Sequence, residues 1–446
     1  TVYDPDEIFN EFHGVLRNPP LANDGGQRVF APRIENYQDY LKVKDSARTD
    51  GMYVGPNEYT PVFSYVKTDL TNAYSDKIEE YSRSMIAINF FDENFPQGFI
   101  CFDNIKTSNK NFKKTWNLQS VGEPVIDGNK ITITRTDNGF GGKLVNRTLL
   151  PKSDNIKLMR VGEKIGMPVT YVEGKNYDNP DINGYETEQG DWRVELSPIN
   201  ATQNDLFLNA MYVTDSDNND ELVADYEENE SFCGVTLKNA AVYFSKKYNH
   251  KQDESFSLTL RDNDFERVSL LVTDIKGGKW KIAGDATELV VDVGNEENAL
   301  CAVLSPGTYD FVPVGDSEKL SEINYEEVNR KKIGDFHIYD TRNKLFMYQE
   351  YETKIIDGIP YIPLRAVLER LGATVSWDGV SVTVAKKKSA VITPGSRDCI
   401  IDNMSSKLKY EPLELDSNIY VYPKDFESVV GVTFNYDDTA KILKIQ

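Results

Sequence analysis

Histidine and cysteine are scarce in this sequence of 446 residues, which contains 3 His and 4 Cys. The cysteines, at positions 101, 233, 301 and 399, are too far apart for a Cys-x-x-Cys metal or redox motif. They are expected to be buried free thiols, or else to form a disulfide. Positive charge is also deficient, with a formal net charge of −21. This argues against a general nucleic-acid binder, because neutralising phosphates requires clustered Lys and Arg.

Long apolar runs are missing as well. No run approaches the roughly 18 residues of a membrane-spanning helix, and no signal peptide is present. The chain opens with Thr1 rather than Met, so we expect a processed product, a trimmed form or one piece of a longer polypeptide. A phosphate loop, a dinucleotide glycine fingerprint and a nucleophile elbow are also missing.

Short runs rich in β-branched and aromatic residues are what the sequence does contain. Four of them, Val62–Tyr74, Ser82–Phe91, Gly98–Asp103 and Trp116–Ser120, are separated by Asp, Asn, Gly and Pro, which is typical of consecutive antiparallel strands. Further runs of this kind continue to about residue 311. The sequence therefore predicts a mainly β fold.

The order of these runs carries a family resemblance. A polar strand ends Asp69-Leu-Thr-Asn-Ala-Tyr74, an apolar strand opens at Arg83, a third ends Phe102-Asp103, and Lys114-Thr-Trp-Asn-Leu118 follows. This order resembles the β-sandwich part of the heparinase II/III family of polysaccharide lyases, over about residues 10–314. The resemblance implies a large antiparallel β-sandwich at 1–250 and a small C-terminal β-domain at 251–314.

An internal repeat follows a charged, weakly helical linker at 315–335. The segment 361–378 recurs at 420–437 with an offset of 59, which aligns Gly372 with Gly431 and Asp378 with Asp437. Each copy predicts a strand, a short helix stopped by Gly, and a strand that ends in an Asp turn. The first copy resembles the copper amine oxidase N-terminal-like domain found on secreted proteins of Gram-positive bacteria. That resemblance implies a repeated α+β accessory module at 336–446, without copper ligands.

Candidate substrate-binding residues come from two neighbouring strands. Tyr65, Lys67, Asp69 and Thr71 occupy every second position and share one strand face. The resemblance implies that this face borders a sugar cleft, whose other side lies outside the chain; the alternative is a solvated sheet face. Arg83 either pairs with Asp69 or contacts a uronate.

His13 is the one candidate metal ligand. The resemblance would make it the last of three ligands of a structural zinc, whose other two, a His and an Asp, would lie upstream of Thr1. The site therefore needs upstream ligands. The alternative is a strand histidine with ordinary hydrogen bonds.

Lyases of this family cleave uronate-containing, glycosaminoglycan-like polysaccharides by β-elimination, and most of their catalytic machinery lies on a helical toroid that precedes the sandwich. The resemblance thus implies an acidic polysaccharide as partner, a toroid outside this chain, and an extracellular or cell-surface location. We expect the C-terminal portion of a secreted lyase that is inactive alone, with no catalytic residue assigned. The alternative is a non-catalytic carbohydrate-binding or cell-surface interaction protein.

Overall fold

The computed structural model describes residues 2–3, 36–38, 47–56, 61–74, 76–92, 94–137, 139–167, 171–172, 175–176, 190–261, 265–284, 287–321, 323, 334–342, 345–347, 351–415 and 417–446. Its contacts divide the chain into two compact units. The first is Thr1–Phe90 with Asn94–Tyr325, and the second is Phe91–Glu93 with Glu326–Gln446. Both units are mainly β, which confirms the predicted fold class.

The described strands of the first unit are, in chain order, β1 (Val2–Tyr3), β2 (Arg48–Gly55), β3 (Phe63–Asp69), β4 (Ile78–Asn89), β5 (Gln97–Thr107), β6 (Lys113–Lys114), β7 (Trp116–Ser120), β8 (Pro124–Asp127), β9 (Lys130–Arg135), β10 (Gly142–Leu150), β11 (Ile156–Gly162), β12 (Tyr171–Val172), β13 (Lys175–Asn176), β14 (Trp192–Pro198), β15 (Asn204–Asp215), β16 (Ala224–Glu228), β17 (Phe232–Leu237), β18 (Ala240–Ser245), β19 (Phe256–Leu260), β20 (Val268–Thr273), β21 (Gly278–Gly284), β22 (Thr287–Val293), β23 (Ala299–Leu304) and β24 (Gly307–Pro313). Short 3-10 helices lie at Thr71–Ala73, Ser153–Asn155 and Glu163–Ile165.

An eight-stranded antiparallel sheet, in the order β2-β3-β4-β5-β15-β10-β9-β8, is the largest element of the first unit. Part of one face packs against a three-stranded sheet, β11-β14-β7, through a core that includes Tyr81, Trp116, Leu196 and Phe207. Apolar side chains at every second strand position supply this core, as the period of two predicts. The pair of sheets is the large antiparallel sandwich that the sequence predicted.

A five-stranded sheet, β16-β17-β18-β20-β23, is covered on both faces. Every residue of β17, β18, β20 and β23 is buried, so these strands are nearly continuous apolar runs instead of alternating ones. On one side Phe244 stacks on Phe102 of the eight-stranded sheet, with ring centroids 4.7 Å apart. On the other side Leu270 and Leu300 join a core with Trp280 of the four-stranded sheet β19-β24-β21-β22.

This sheet regroups residues that the sequence assigned to the large sandwich. The predicted boundary lay at 250, whereas β18 pairs with β20 on the far side of it, which places β16, β17 and β18 in one sheet with β20 and β23. The link is the parallel pairing of β18 with β20, which joins Ala240 to Ser269. A pairing between strands so far apart in sequence leaves no local signal, because the period of two is the same in either sheet.

All four cysteines are buried thiols that form no disulfide, as expected. Burial raises the pKa of Cys101, Cys233 and Cys301 to about 12. These thiols are therefore protonated at neutral pH and behave as small apolar side chains.

The described strands of the second unit are β25 (His337–Asp340), β26 (Leu345–Met347), β27 (Lys354–Ile356), β28 (Ile359–Pro363), β29 (Thr374–Trp377), β30 (Val382–Ala385), β31 (Ser389–Ile392), β32 (Asp398–Ile401), β33 (Met404–Lys407), β34 (Leu413–Leu415), β35 (Asn418–Val421), β36 (Phe434–Asp437) and β37 (Ile442–Ile445). Its helices are α1 (Leu364–Arg370), α2 (Glu427–Val430) and a 3-10 helix at Pro423–Phe426.

The internal repeat forms a pseudo-twofold arrangement in this unit. The sheet β27-β28-β35-β34 pairs Ile362 with Val421, its own counterpart at the offset of 59. Gly372 and Gly431 both follow a helix with φ of +82° and +74°, the left-handed conformation that glycine adopts without steric cost. Asp378 Oδ1 accepts hydrogen bonds from the backbone nitrogens two and three residues on, and so does Asp437 Oδ1.

Replacing Phe244 with Ala tests the packing of the doubly covered sheet. Phe244 is 0% exposed, so Phe244→Ala should lower the free energy of unfolding by about 3–5 kcal/mol through lost burial and a residual cavity. Phe140→Ala is the matched control, because Phe140 is 53% exposed and its ring lies 4.2 Å from the Arg135 guanidinium. The control should cost about 1 kcal/mol or less. Urea unfolding followed by tryptophan fluorescence measures both, and equal losses would contradict the double coverage.

Candidate functional site

Tyr65, Lys67 and Asp69 lie on one face of β3, as the alternation predicted. That face is turned towards the five-stranded sheet, so Tyr65 and Lys67 are only 2% and 4% exposed. A residue that borders a cleft or lies on a solvated face has an exposed side chain. Tyr65 and Lys67 are buried, so this expectation is wrong for them. The reason is that strands distant in sequence cover the face, which the sequence of β3 cannot indicate. Contact of Tyr65, Lys67 and Asp69 with substrate stays a prediction.

Lys67 makes a buried ion pair across the two sheets. Its Nζ lies against Asp274 Oδ1, and Asp50 Oδ2 is 4.0 Å away. The Lys67 and Asp274 side chains are 5% and 6% exposed. Burial, reinforced by the Asp274 carboxylate, raises the pKa of Tyr65 well above its usual value. This cluster joins the eight-stranded sheet to the loop after β20.

Asp69 organises the end of the same face. Its Oδ1 accepts hydrogen bonds from the Tyr248 hydroxyl and the Thr71 backbone nitrogen, both at 3.0 Å. The Thr71 hydroxyl lies 2.8 Å from that of Tyr248. Burial raises the pKa of Tyr248 to about 12, and the Asp69 carboxylate contributes to the rise. These contacts fix a turn, and Asp69 keeps part of its surface at the rim of the two sheets.

Arg83 lies on the opposite face, where it pairs with Asp103 instead of Asp69. Its Nε and Nη2 donate to the two Asp103 oxygens at 2.7 and 2.9 Å, a bidentate geometry. Arg83 and Asp103 are directly opposite each other on β4 and β5, whereas Asp69 is opposite Ser82. Burial alone lowers the pKa of Arg83, but the Asp103 carboxylate outweighs it and raises that pKa above its usual value. The Arg83 side chain is 31% exposed and that of Asp103 is 1% exposed.

An open part of the eight-stranded sheet begins beside this pair. By register, β2 to β5 place exposed or half-buried residues on the same face as Arg83, and nine of these are grouped here. They define what we call the open face: Thr49, Met52, Val54, Ser64, Val66, Thr68, Met85, Ala87 and Phe99. Met52 is 60% exposed, whereas Cys101, in its row on β5, is 4% exposed beneath the three-stranded sheet. The part of the face that the three-stranded sheet covers therefore ends near Arg83.

The nine side chains of the open face are uncharged, and the Arg83–Asp103 pair lies beside them. Thr49, Ser64 and Thr68 offer hydroxyls, and Met52 and Phe99 offer apolar surface. Strands lie about 4.8 Å apart, so four of them present a face about 14 Å wide. Such a mixture offers both hydrogen-bonding groups and apolar surface to a ligand. None of the nine residues of this face was predicted from the sequence, because alternation shows that a strand has two faces but not which one is covered.

A buried row of polar side chains lies on the three-stranded sheet. Arg193 Nη2 donates to Glu195 Oε1 at 2.7 Å, and Lys113 Nζ is 3.9 Å from Glu195 Oε2. Arg193 and Glu195 are each 6% exposed. The alternation in Trp192-Arg-Val-Glu-Leu-Ser was the signal for this row, since Trp192, Val194 and Leu196 face the core.

Two adjoining cavities flank the edge strand β16. Their volumes are about 710 and 600 Å³, and Glu227, Glu228 and Thr259 line both of them. Lys152 and Lys246 bind Glu228, and Arg261 binds Glu227. The Lys152–Glu228 pair connects the large sandwich to the strands that follow residue 224.

His13, the candidate zinc ligand, lies outside the described residues, so its role stays a prediction. Within the described part of the chain, no three His, Cys, Asp or Glu side chains are placed together to hold a metal ion. In that part, no helix has both the length and the apolar character needed to cross a membrane.

Family comparisons match two parts of the chain. Residues 226–313 match the model of the heparinase II C-terminal domain, and residues 342–445 match that of the copper amine oxidase N-terminal domain. Both resemblances predicted from the sequence are thereby confirmed, and the first marks this protein as related to polysaccharide lyases. No curated protein matches the chain.

Solved structures similar to the chain include the heparan sulfate lyase HepC of Pedobacter heparinus, both as the enzyme and as a mutant. Each is 18% identical with a TM-score of 0.30, over 46% of this chain and 28% of the other. A heparinase III gene product with methylated lysines is 14% identical with a TM-score of 0.26, over 50% and 33%. The alignment thus spans about a third or less of the length of these structures.

Removing Lys67 should expose the cost of an unpaired buried carboxylate. We expect Lys67→Ala to lower the free energy of unfolding by about 3–5 kcal/mol, because Asp274 stays buried without its partner. Lys276→Ala is the control: its pair with Asp253 is 62% and 48% exposed and contributes about 1 kcal/mol or less. Urea unfolding measures both. The double variant Lys67→Met with Asp274→Leu should recover most of the loss, and failure to recover would argue against an electrostatic cause.

Acidification should weaken the ion pairs at β16. The hydrogen bond from Lys152 lowers the pKa of Glu228 in the folded state. Its contribution is therefore present above the unfolded pKa of about 4.3 and is lost as the pH falls through the lower folded value. Glu228→Gln should show a smaller loss of stability between about pH 6 and pH 3 than the wild type. Glu230→Gln, at an exposed neighbour, should behave like the wild type, and the difference should shrink in high salt.

Proposed function

We propose that this chain is the C-terminal portion of a secreted, extracellular or cell-surface polysaccharide lyase. The proposed reaction is cleavage of a uronate-containing, glycosaminoglycan-like polysaccharide by β-elimination. The match of residues 226–313 to the heparinase II C-terminal domain is the observation that carries this proposal. The large sandwich that packs directly on those residues supports it, since the Phe102–Phe244 stack and the Lys67–Asp274 pair bind the two parts into one unit.

Elimination from a uronate requires three groups. A base removes the proton next to the carboxylate, a cation or hydrogen-bond donor neutralises that carboxylate, and an acid protonates the leaving oxygen. Neutralising the carboxylate makes the adjacent proton more acidic. The base and the acid are proposed to come from a helical domain outside this chain, so this chain alone is proposed to be inactive.

Arg83 is the residue we assign to the carboxylate. Its Nε and Nη2 bind Asp103, while Nη1 makes no hydrogen bond within the described residues. The bidentate pair fixes the plane of the guanidinium, which keeps the remaining edge oriented at the border of the open face. The open face then supports the neighbouring sugar rings through its hydroxyls and apolar side chains.

The second unit is proposed to be an accessory module. Its match to the copper amine oxidase N-terminal domain concerns residues 342–445, and its core is separate from that of the first unit. The proposed role is attachment of the lyase to a surface. Binding of the full chain to cell-wall preparations, compared with a chain shortened before residue 336, tests that role.

Product formation tests the proposed activity. Incubation with uronate polysaccharides should give unsaturated uronate, followed by its ultraviolet absorbance, when a longer form or a partner supplies the helical domain. This chain alone should give no product. Binding without product in either form would favour a non-catalytic carbohydrate-binding protein.

The Arg83–Asp103 pair should determine affinity. We expect Arg83→Met with Asp103→Leu to weaken polysaccharide binding at least about tenfold, because a charge-assisted hydrogen bond is lost while no buried charge is stranded. Arg135→Met with Asp137→Leu is the matched control, since it removes an exposed bidentate pair away from the open face. Calorimetric titration measures both variants. Equal affinity of the two would remove Arg83 from the site.

A further inference from the structure

Lys67 and Asp274 hold an amine against a carboxylate in a site that is nearly closed to water. Lys67 Nζ contacts Asp274 Oδ1, and the two side chains are 5% and 6% exposed. The two residues are 207 positions apart, one on β3 and the other directly after β20, so the contact joins two sheets. Keeping two charges out of water is unfavourable even when they attract each other.

A second carboxylate lies beside this pair because of a β-bulge. Asp50 is the extra residue where the pairing of β2 with β3 shifts register, since Gly51 and not Asp50 is opposite Lys67. A bulge of this kind redirects a side chain. Asp50 Oδ2 lies 4.0 Å from Lys67 Nζ, and the Asp50 side chain is 16% exposed. Asn298 Nδ2 donates to the Asp50 backbone oxygen at 2.8 Å, which holds the bulge in place.

The backbone at Asp274 is also unusual. Asp274 has a φ of +63°, a conformation that residues other than glycine rarely adopt and that concentrates at functional sites. The Gln252 backbone nitrogen donates to the Asp274 backbone oxygen at 2.7 Å, and the Thr273 hydroxyl donates to Asp274 Oδ2 at 3.2 Å. These contacts fix the carboxyl group with its other oxygen against Lys67.

Tyr65 supplies a proton donor on the same face. It lies two positions before Lys67 on β3, and its buried hydroxyl makes no hydrogen bond within the described residues. Burial first, and then the Asp274 carboxylate, raise the pKa of Tyr65, so the hydroxyl is protonated at neutral pH and within electrostatic reach of that carboxylate. A donor placed there stabilises negative charge that develops on a carboxyl oxygen.

We propose that Lys67 and Asp274 condense into an intramolecular isopeptide bond, with Asp50 transferring the protons. The Lys67 nitrogen attacks Asp274 Cγ, so that a C–N bond forms and a C–O bond breaks. One ammonium and one carboxylate become one neutral amide and one water molecule. Atoms and charge therefore balance, and no oxidant, cofactor or other reactant is needed.

The geometry supplies what this condensation requires. Asp50 accepts a proton from the ammonium, which frees the attacking lone pair, and two protons in all pass from the nitrogen to the leaving oxygen. Fixed contact between the reacting groups replaces the high concentration that amide formation needs in water. The product removes two buried charges, so the cost of their desolvation favours the amide.

The bond would connect the eight-stranded sheet covalently to the five-stranded sheet. It closes a loop of 207 positions, which restricts the unfolded chain. The double variant Lys67→Met with Asp274→Leu restores the electrostatic part of the stability but cannot restore a covalent bond. Its recovery in urea should therefore be incomplete if the wild type is linked.

The intact mass of the full chain tests the proposal. Mass spectrometry of the denatured wild type should give a mass lower than the sequence mass by one water molecule, and digestion should give one branched fragment that contains Lys67 and Asp274. Lys67→Met should have its full sequence mass. Lys276→Met is the matched control, because it removes an exposed lysine paired with Asp253 and should keep the loss of water.

Two results would overturn the bond. One is the full sequence mass in folded wild-type protein, and the other is a loss of water that fragmentation assigns to another part of the chain. Both are read from the wild type, so they decide even if Lys67→Met does not fold. A wild type that is linked but cleaves no polysaccharide would leave the bond standing while the lyase proposal fails.

Asp50→Ala tests the proton transfer. The linked fraction, followed by mass after purification, should grow at least about tenfold more slowly than in the wild type, as for loss of a general acid–base group. Asp253→Ala, at an exposed carboxylate, is the control and should link like the wild type. Urea unfolding checks that both variants are folded. Equal linking of Asp50→Ala and the wild type would remove Asp50 from the reaction.

Discussion

Coverage of the five-stranded sheet on both faces is the constraint on which the first unit depends. Strands such as β18, with every residue buried, are stable only if apolar layers pack on each side. The eight-stranded sheet supplies one layer through Phe102, and the four-stranded sheet supplies the other through Trp280. Removing either layer would leave a contiguous apolar sheet face in water. The large sandwich and the heparinase II C-terminal-like part are therefore one physical body.

This constraint also decides which side of β3 and β4 is available for binding. The face with Tyr65 and Lys67 is used to attach the five-stranded sheet, and a buried ion pair with Asp274 helps to fix the register of that attachment. The opposite face is only half covered, and Arg83 stands at the border of the cover. Structural roles and proposed functional roles are thus divided between two faces of the same strands. Lys67 and Arg83 each have a carboxylate partner, but only Arg83 keeps a hydrogen-bond donor edge near solvent.

The second unit shows how a repeat can give a symmetric fold from divergent sequence. Ile362 pairs with its counterpart Val421, so the pseudo-twofold axis passes between β28 and β35. The glycines that end the helices and the aspartates that cap the turns are retained, because both act through backbone geometry. Side chains elsewhere differ: Trp377 is 47% exposed, whereas its counterpart Tyr436 packs on Phe336. The copies therefore share a scaffold and present different surfaces.

The sequence by itself determined the local features of this protein. The period of two located most strands, Gly372 and Gly431 marked the helix ends, and ordered strand motifs indicated the family resemblance that the match at 226–313 confirms. Only the tertiary structure decided which face of each strand is buried, that Arg83 pairs with Asp103, and that β16 to β18 join β20. The physical reason is that alternation is encoded within a strand, whereas cover and pairing come from residues up to about two hundred positions away, as in the contact of Lys67 with Asp274.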